Sequence, residues 1–113
     1  MTTPARPPSH LKAPGKGLWQ RILANFILED HHLVILQAAC EAADRGAQAR
    51  TLLQQSGLTF TDPKGVIHAH PAVSIEKDSR IALLRALREL SLDSSVVEKT
   101  TRPARIAGGR RYA

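Results

Sequence analysis

Four of the five histidines occur as two close pairs, and such pairs are the first residues in this chain that could bind a metal ion. His31 and His32 are adjacent at a predicted helix start, whereas His68 and His70 would point to the same side of an extended strand. Zinc requires three or four ligands at about 2.0–2.3 Å. Adjacent side chains diverge on a helix, and the sequence places no cysteine or carboxylate at a ligand spacing nearby. We therefore predict no metal site and interpret the histidines as structural or surface residues.

Residues for hydrolytic or nucleophilic catalysis are equally sparse. Glu29 and Asp30 are neighbours at a predicted helix start, where carboxylates complement the helix dipole and cap free N–H groups. Cys40 falls within an apolar helical stripe and is interpreted as a small core residue. Gly108 and Gly109 lie in a basic tail, without the preceding strand that a phosphate-binding loop requires. The sequence therefore predicts no catalytic residue, no bound cofactor and no enzymatic activity.

The first half of the chain predicts a proline-rich arm followed by two helices. The prolines between residues 1 and 14 prevent a regular helix there, so this basic segment is expected to be disordered. Apolar residues spaced by three and four predict a first helix over residues 15–28. A second helix is predicted from Asp30, as its N-cap, to Gln55 or Ser56, with Gly57 as an αL stop.

The second half predicts a β-hairpin and a long helix. The hairpin is expected near residues 58–69, because turn-forming residues at 62–65 separate two short runs rich in β-forming side chains. Pro71 suits the first turn of a third helix that runs to about Leu90. The expected fold class is mainly α, in the order helix, helix, β-hairpin and long helix.

The predicted core, residues 15–92, is small for a stable monomer. A chain of this size buries only about 60% of the surface that it exposes when unfolded. Cys40 is the only cysteine, so no intramolecular disulfide can form, and self-association is the remaining route to stability. Two surfaces are candidates for self-association. One is a stripe of apolar and small residues on the second helix, and the other is the pair of apolar side chains within the basic face of the third helix. The predicted oligomer contacts are Ile35, Ala39, Ala42, Ile81 and Leu84.

Positive charge is concentrated at the two ends of the chain, whose formal net charge is +6. Residues 1–14 and 93–113 are expected to be disordered basic arms with affinity for polyanions. Each phosphate neutralised by such an arm releases condensed counterions. The alternative, that the arms only keep the protein soluble, stays open. The predicted DNA contacts are Lys12, Lys16, Lys99, Arg102, Arg105, Arg110 and Arg111.

The sequence also bears on where the protein acts. No run approaches the roughly 20 apolar residues needed to cross a bilayer, so no membrane partner is expected. The first residues are not followed by the apolar run of a secretory signal peptide. The lone thiol is compatible with a reducing compartment. A cytosolic protein is the simplest interpretation.

The order of these elements resembles the phage terminase small subunits over about residues 14–93. The resemblance depends on short runs in each element rather than on one motif. They are Leu18-Trp19, then Asp30, Leu33, Leu36 and Ala39–Arg45, then Gly57–Gly65, His70-Pro71-Ala72, Glu76–Arg80 and Leu87–Leu90. One departure is Ser91-Leu92-Asp93, which stands where family members commonly have Gly-Leu.

The resemblance implies a non-enzymatic, ring-forming homo-oligomer that recognises the packaging start on double-stranded viral DNA. It also implies a terminase large subunit as a partner, carrying the ATPase and nuclease, and action in the cytoplasm of the bacterial host. The first alternative is a small dimeric DNA-binding regulator of the repressor or antitoxin type, which would bind twofold half-sites. A second alternative is a small metalloprotein that uses His68 and His70.

Overall fold

The computed structural model describes residues 5–92 together with the backbone of residues 97–98. Within these residues the chain forms three helices, α1 (Ala13–Asn25), α2 (Asp30–Ser56) and α3 (Pro71–Leu90). The short strands β1 (Phe26–Ile27), β2 (Thr59–Thr61), β3 (Ile67–Ala69) and β4 (Val97–Glu98) form two antiparallel pairs, β1 with β4 and β2 with β3. The predicted mainly α fold and the order helix, helix, β-hairpin, long helix are confirmed.

Helix α1 begins and ends slightly earlier than its apolar pattern predicts. Pro14 lies in its first turn, where a missing N–H removes no hydrogen bond, so the helix starts at Ala13 rather than Gly15. Phe26 has an extended backbone with φ −136°, which stops the helix before the predicted end at Leu28. The next residue, Ile27, pairs with Val97. Residues 97–98 of the predicted C-terminal arm therefore form a strand beside β1.

The described part of the N-terminal arm, from residue 5 onward, is docked on the helices. Leu11 is only 2% exposed and belongs to the core. The indole N–H of Trp19 donates to the carbonyl oxygen of Ala5 at 3.0 Å, and His10 Nε2 lies 2.7 Å from a carboxylate oxygen of Glu41. Prolines exclude a helix here, but an extended segment can still satisfy its polar groups through side chains of α1 and α2.

Both ends of α2 lie close to their predicted positions, but the N-cap residue and the conformation of the final glycine differ from the prediction. The N-cap is Glu29 rather than Asp30, and its backbone N–H donates to Nδ1 of His32 at 3.2 Å. Asp30 instead occupies the first turn, where a carboxylate complements the helix dipole. Gly57 ends the helix with φ 82° and ψ 175°, a positive φ as expected but outside the αL region.

The three helices enclose one apolar core. Leu36 of α2 and Leu90 of α3 are completely buried, and Trp19 of α1 is 4% exposed beside them. Helix α2 also buries a stripe of small residues, Ala39, Ala42, Gly46 and Ala49. A Cβ added to Gly46 would lie 3.5 Å from Cβ of Ser79 on α3. Small residues on α2 therefore let α3 approach it closely within one chain.

The β-hairpin is organised by the side chain of Asp62. Its Oδ1 accepts hydrogen bonds from the backbone N–H groups of Lys64 at 2.8 Å and Val66 at 2.9 Å. Its Oδ2 lies 2.8 Å from Nε2 of His68, and the ring of His68 stacks on Phe60 with 5.2 Å between ring centroids. These contacts lower the pKa of Asp62, chiefly through the hydrogen bond to His68 and then through the Val66 N–H. The ionised carboxylate thus holds the turn together.

Acidification is expected to loosen this turn. Folding lowers the pKa of Asp62. The ionised Asp62 carboxylate therefore stabilises the folded turn fully above the ordinary carboxyl pKa of about 3.9, and this stabilisation is lost as pH falls through the lower pKa of the folded state. In an NMR titration, the Lys64 and Val66 amide shifts should move together with a midpoint below about 3.9. An Asp62→Asn variant should lack this titration. A midpoint at or above the ordinary value would contradict the structural role given to Asp62.

Candidate nucleic-acid and subunit interfaces

His68 and His70 are used by different elements and do not form a joint site. His68 contacts the turn carboxylate of Asp62. His70 lies just beyond the hairpin as the N-cap of α3, where its Nδ1 accepts a hydrogen bond from the Ala72 N–H at 3.0 Å. Each ring therefore has a structural partner, in agreement with the interpretation of these histidines as structural residues.

The other histidine pair has a carboxylate beside it that the sequence argument missed. Ligand atoms of Glu29, His31 and His32 all lie within 4.8 Å of one another, and the two imidazole centroids are 4.1 Å apart. The N-cap geometry brings Glu29 back over the first turn, so that its Oε1 is 3.7 Å from Nδ1 of His31. Nδ1 of His32 already accepts the Glu29 N–H, and the positive end of a helix disfavours a cation. We interpret the trio as a helix cap.

Cys40 has the environment of a core residue rather than of a nucleophile. Its side chain is completely buried in the helical core. Burial, followed by the nearby negative charge of Asp44, raises the pKa of the thiol to about 11. Because the thiolate is the reactive form, a protonated and inaccessible thiol is a poor nucleophile at neutral pH.

The five predicted oligomer contacts fall into two groups. Ala39 and Ala42 are 0% and 3% exposed, so their side chains are already buried within one chain and have almost no surface for a neighbouring subunit. Ile35 is half-buried and packs against the core. Ile81 and Leu84 of α3 are 40% and 55% exposed. Of the five predicted contacts, only Ile81 and Leu84 therefore expose a large apolar side chain that a neighbouring subunit could cover.

Two of the seven predicted DNA contacts lie within the described residues. Lys12 and Lys16 are both exposed near the start of α1. The other five lie outside the described residues: Lys99, Arg102, Arg105, Arg110 and Arg111.

Lys12 borders a broad cleft of about 750 Å³ between the N-terminal segment and α2. Arg45 lines the same cleft, but so do the carboxylates of Glu41 and Asp44. Hydrogen bonds from Gln37 and then His10 are the main causes that lower the pKa of Glu41, and the charge of Arg45 contributes less. The charges of Lys12 and Arg45 are matched by these two carboxylates, and the third basic side chain, His10, is already paired with Glu41 at 2.7 Å.

A smaller cleft of about 210 Å³ has the opposite balance, and we call it the three-arginine cleft. Arg21 of α1, Arg50 of α2 and Arg80 of α3 all line it. Glu76 lies between two of them, with Oε2 3.2 Å from Nη1 of Arg50 and Oε1 3.6 Å from Nη2 of Arg80. Three positive charges against one negative charge leave an excess of two at this point. Its other lining residues are Pro14, Leu18, Ala42, Ala43, Gly46, Ser79 and Leu83.

Sequence reasoning did not find this cleft. Its arginines are about thirty residues apart, and they lie in the middle of the chain where acidic and basic residues nearly balance. Each one, taken alone, is typical of a solvated helix face. The packing of three helices brings them together, and the local sequence carries no signal of it.

A comparison with protein families matches residues 15–104 to the family described as phage terminase, small subunit. The chain belongs to this family. The match extends over most of the chain, from the first turn of α1 to beyond β4. Comparisons with curated proteins and with solved structures gave no significant match. None of the helices in the described residues is long and apolar enough to span a membrane.

The residues that resemble terminase small subunits have clear structural roles in this chain. Gly57 ends α2 and Gly65 closes the hairpin turn, and both have positive φ. His70 and Pro71 cap and begin α3. These residues mark the boundaries between the elements. The residues that carry the resemblance therefore serve mainly to set the fold of this chain.

Proposed function

We propose that this terminase small subunit is an oligomeric adaptor that binds viral DNA at the packaging start and regulates the large terminase subunit. The observation that carries the proposal is the family match over residues 15–104. Such an adaptor leaves ATP hydrolysis and DNA cleavage to the large subunit, and it would act in the cytoplasm of the bacterial host. Viral DNA at the packaging start is favoured as the ligand over the operator of a dimeric regulator, because the match is to a phage terminase.

Oligomerisation is supported by apolar surface that one chain does not cover. Ile81 and Leu84 are one helical turn apart on α3, and both are at least 40% exposed. Val73 and Ile75 near the start of the same helix are also exposed, at 36% and 43%. Burying such side chains against a neighbour contributes roughly 25 cal/mol for each Å² of apolar surface removed from water. A small core with this much uncovered apolar surface is typical of a subunit in an assembly.

DNA binding is supported by the formal charge of +6 and its placement. We propose that Lys12 and Lys16 contact phosphates together with Lys99, Arg102, Arg105, Arg110 and Arg111. The alternative for the C-terminal residues is that they dock on the second partner, the large subunit. Replacing Arg102, Arg105, Arg110 and Arg111 by glutamine should weaken DNA binding and reduce its salt dependence, whereas an unchanged salt slope would rule out their DNA contact and favour that alternative.

The oligomer can be tested by native mass spectrometry of the full chain with and without packaging-site DNA. We expect an oligomeric mass for the wild type and at least tenfold weaker self-association for the double variant Ile81→Gln, Leu84→Gln, because interface apolar residues are lost. Val34→Gln is the matched control, since Val34 is 71% exposed but lies at the start of α2. A wild type that stays monomeric at micromolar concentration would rule out the oligomeric adaptor.

A further inference from the structure

We propose that the three-arginine cleft binds one backbone phosphate of the DNA, so that the folded core as well as the chain ends contacts the duplex. This inference depends on the DNA-binding role proposed above and adds a contact site to it. The proposed ligand of the three-arginine cleft is a phosphate diester of double-stranded DNA. The residues that hold the phosphate are Arg21, Arg50 and Arg80.

The first argument is that the cleft collects one guanidinium group from each of the three helices. Guanidinium groups are planar and always charged, and they donate parallel hydrogen bonds that match phosphate oxygens. Side chains of Arg50 and Arg80 are 56% and 58% exposed, so both groups are accessible to a ligand. Arg21 donates only a long hydrogen bond of 3.4 Å, to the Gly17 carbonyl of its own helix. Its donor capacity is largely unused within the described residues.

The second argument is that Glu76 positions two of the arginines without neutralising the positive charge of the cleft. The carboxylate uses one oxygen for Arg50 and the other for Arg80, which holds two guanidinium groups on the same side of the α2–α3 contact. Glu76 itself is only 19% exposed, so its charge lies below the rim, whereas both arginines reach solvent. Holding the donors in place before binding lowers the entropy cost of ordering them around a phosphate.

The floor of the cleft provides a third, independent observation. Ser79 lines the cleft and is 3% exposed, and within residues 5–92 its hydroxyl has no hydrogen-bond partner. Buried hydroxyls are normally paired, so an unpaired one beside three guanidinium groups indicates a missing acceptor. Gly46 lies opposite, and a Cβ there would be 3.3 Å from Nη1 of Arg50. The glycine therefore leaves room for this guanidinium beside Ser79.

The larger cleft beside Lys12 differs from the three-arginine cleft in its charge balance. It has more than three times the volume, but two carboxylates balance the charges of Lys12 and Arg45, and His10 is paired with one of those carboxylates. A phosphate would be repelled there as much as attracted. Of these two clefts, only the three-arginine cleft combines excess positive charge with an unpaired donor, which is why we assign the phosphate to it.

The test measures the affinity of the full chain for duplex DNA over a series of salt concentrations. The double variant Arg21→Gln, Arg80→Gln should weaken binding at least tenfold at moderate salt and lower the slope of log affinity against log salt by about one. The control is Arg85→Gln, an exposed arginine of α3 that does not line the cleft, and it should leave the slope unchanged. Ser79→Ala should weaken binding by about threefold, as expected for one lost hydrogen bond.

Each outcome separates this inference from the function on which it rests. If the wild type binds no DNA, the proposed function fails and the cleft assignment fails with it. If the wild type binds but the double variant keeps the full salt slope, only the cleft assignment is overturned. Should the double variant unfold, Arg21→Gln alone gives the same test, because within residues 5–92 the Arg21 side chain bonds only to its own helix. If inorganic phosphate at matched ionic strength stabilises the wild type while the DNA slope is unchanged in the double variant, the cleft takes free phosphate and the DNA contact is disproved.

Discussion

Replacing Gly15 by alanine is expected to lower the free energy of unfolding by about 1–3 kcal/mol, the usual cost of forcing an extra carbon into a packed site. The added Cβ would lie 2.8 Å from Oδ2 of Asp44 and 2.8 Å from the backbone oxygen of Cys40. The carboxylate could rotate away, but the Cys40 carbonyl belongs to α2 and can move only with that helix. Helix α1 would have to lift off α2.

Gly17→Ala is the matched control, because Gly17 is two residues away in the same helix and a Cβ there meets nothing within 4 Å. Alanine has the higher helix propensity, so this variant should be more stable than the wild type by roughly 0.5–1 kcal/mol. Urea denaturation followed by circular dichroism would measure both changes. Two shifts of the same sign would show that α1 does not approach α2 as closely as described.

Removal of the Asp44 carboxylate should have a similarly large effect. One oxygen of Asp44 accepts the Lys12 N–H and the other accepts the Gly15 N–H, each at 2.7 Å. These N–H groups lie at the start of α1, whose N-cap Lys12 makes no side-chain cap of its own. Asp44→Ala leaves both without an acceptor, so we expect a loss of about 1.5–3 kcal/mol, as for hydrogen bonds to charged groups.

Thermal unfolding of Asp44→Ala should be compared with Asp78→Ala, whose carboxylate is exposed on α3. The control should stay within about 0.5 kcal/mol of the wild type. Equal losses for the two variants would mean that Asp44 does not cap α1. A further check is the combination with Gly15→Ala. Since both changes act on one contact, their effects should add to less than the sum of the single changes.

The parts of the fold that could be predicted from the sequence are those set by local chemistry. Pro71 begins α3 because its fixed φ suits a first helical turn, and Gly57 and Gly65 stop a helix and close a turn because they tolerate positive φ. The hairpin lies where the turn-forming residues at 62–65 predict it, between β2 and β3. Each of these signals is complete within a few residues, so no knowledge of packing is needed to interpret it.

The parts that could not be predicted depend on contacts between distant residues. Asp44 caps α1 across 32 positions of sequence, so the docked N-terminal segment looks like a mobile arm when its prolines are considered alone. Ala39 and Ala42 form a small-residue stripe that suits a second subunit as well as it suits α3. Periodicity identifies such a face but does not identify its partner. The three-arginine cleft was missed for the same reason.

The position of Trp19 gives the protein an intrinsic optical reporter. It is the chain's only tryptophan, it is 4% exposed, and its indole N–H bonds to the Ala5 carbonyl in the docked N-terminal segment. Detachment of that segment would break this hydrogen bond and expose the indole to water. Tryptophan emission therefore reports whether the N-terminal segment is docked on the helices. The wild-type chain needs no attached dye to show when a partner displaces this segment.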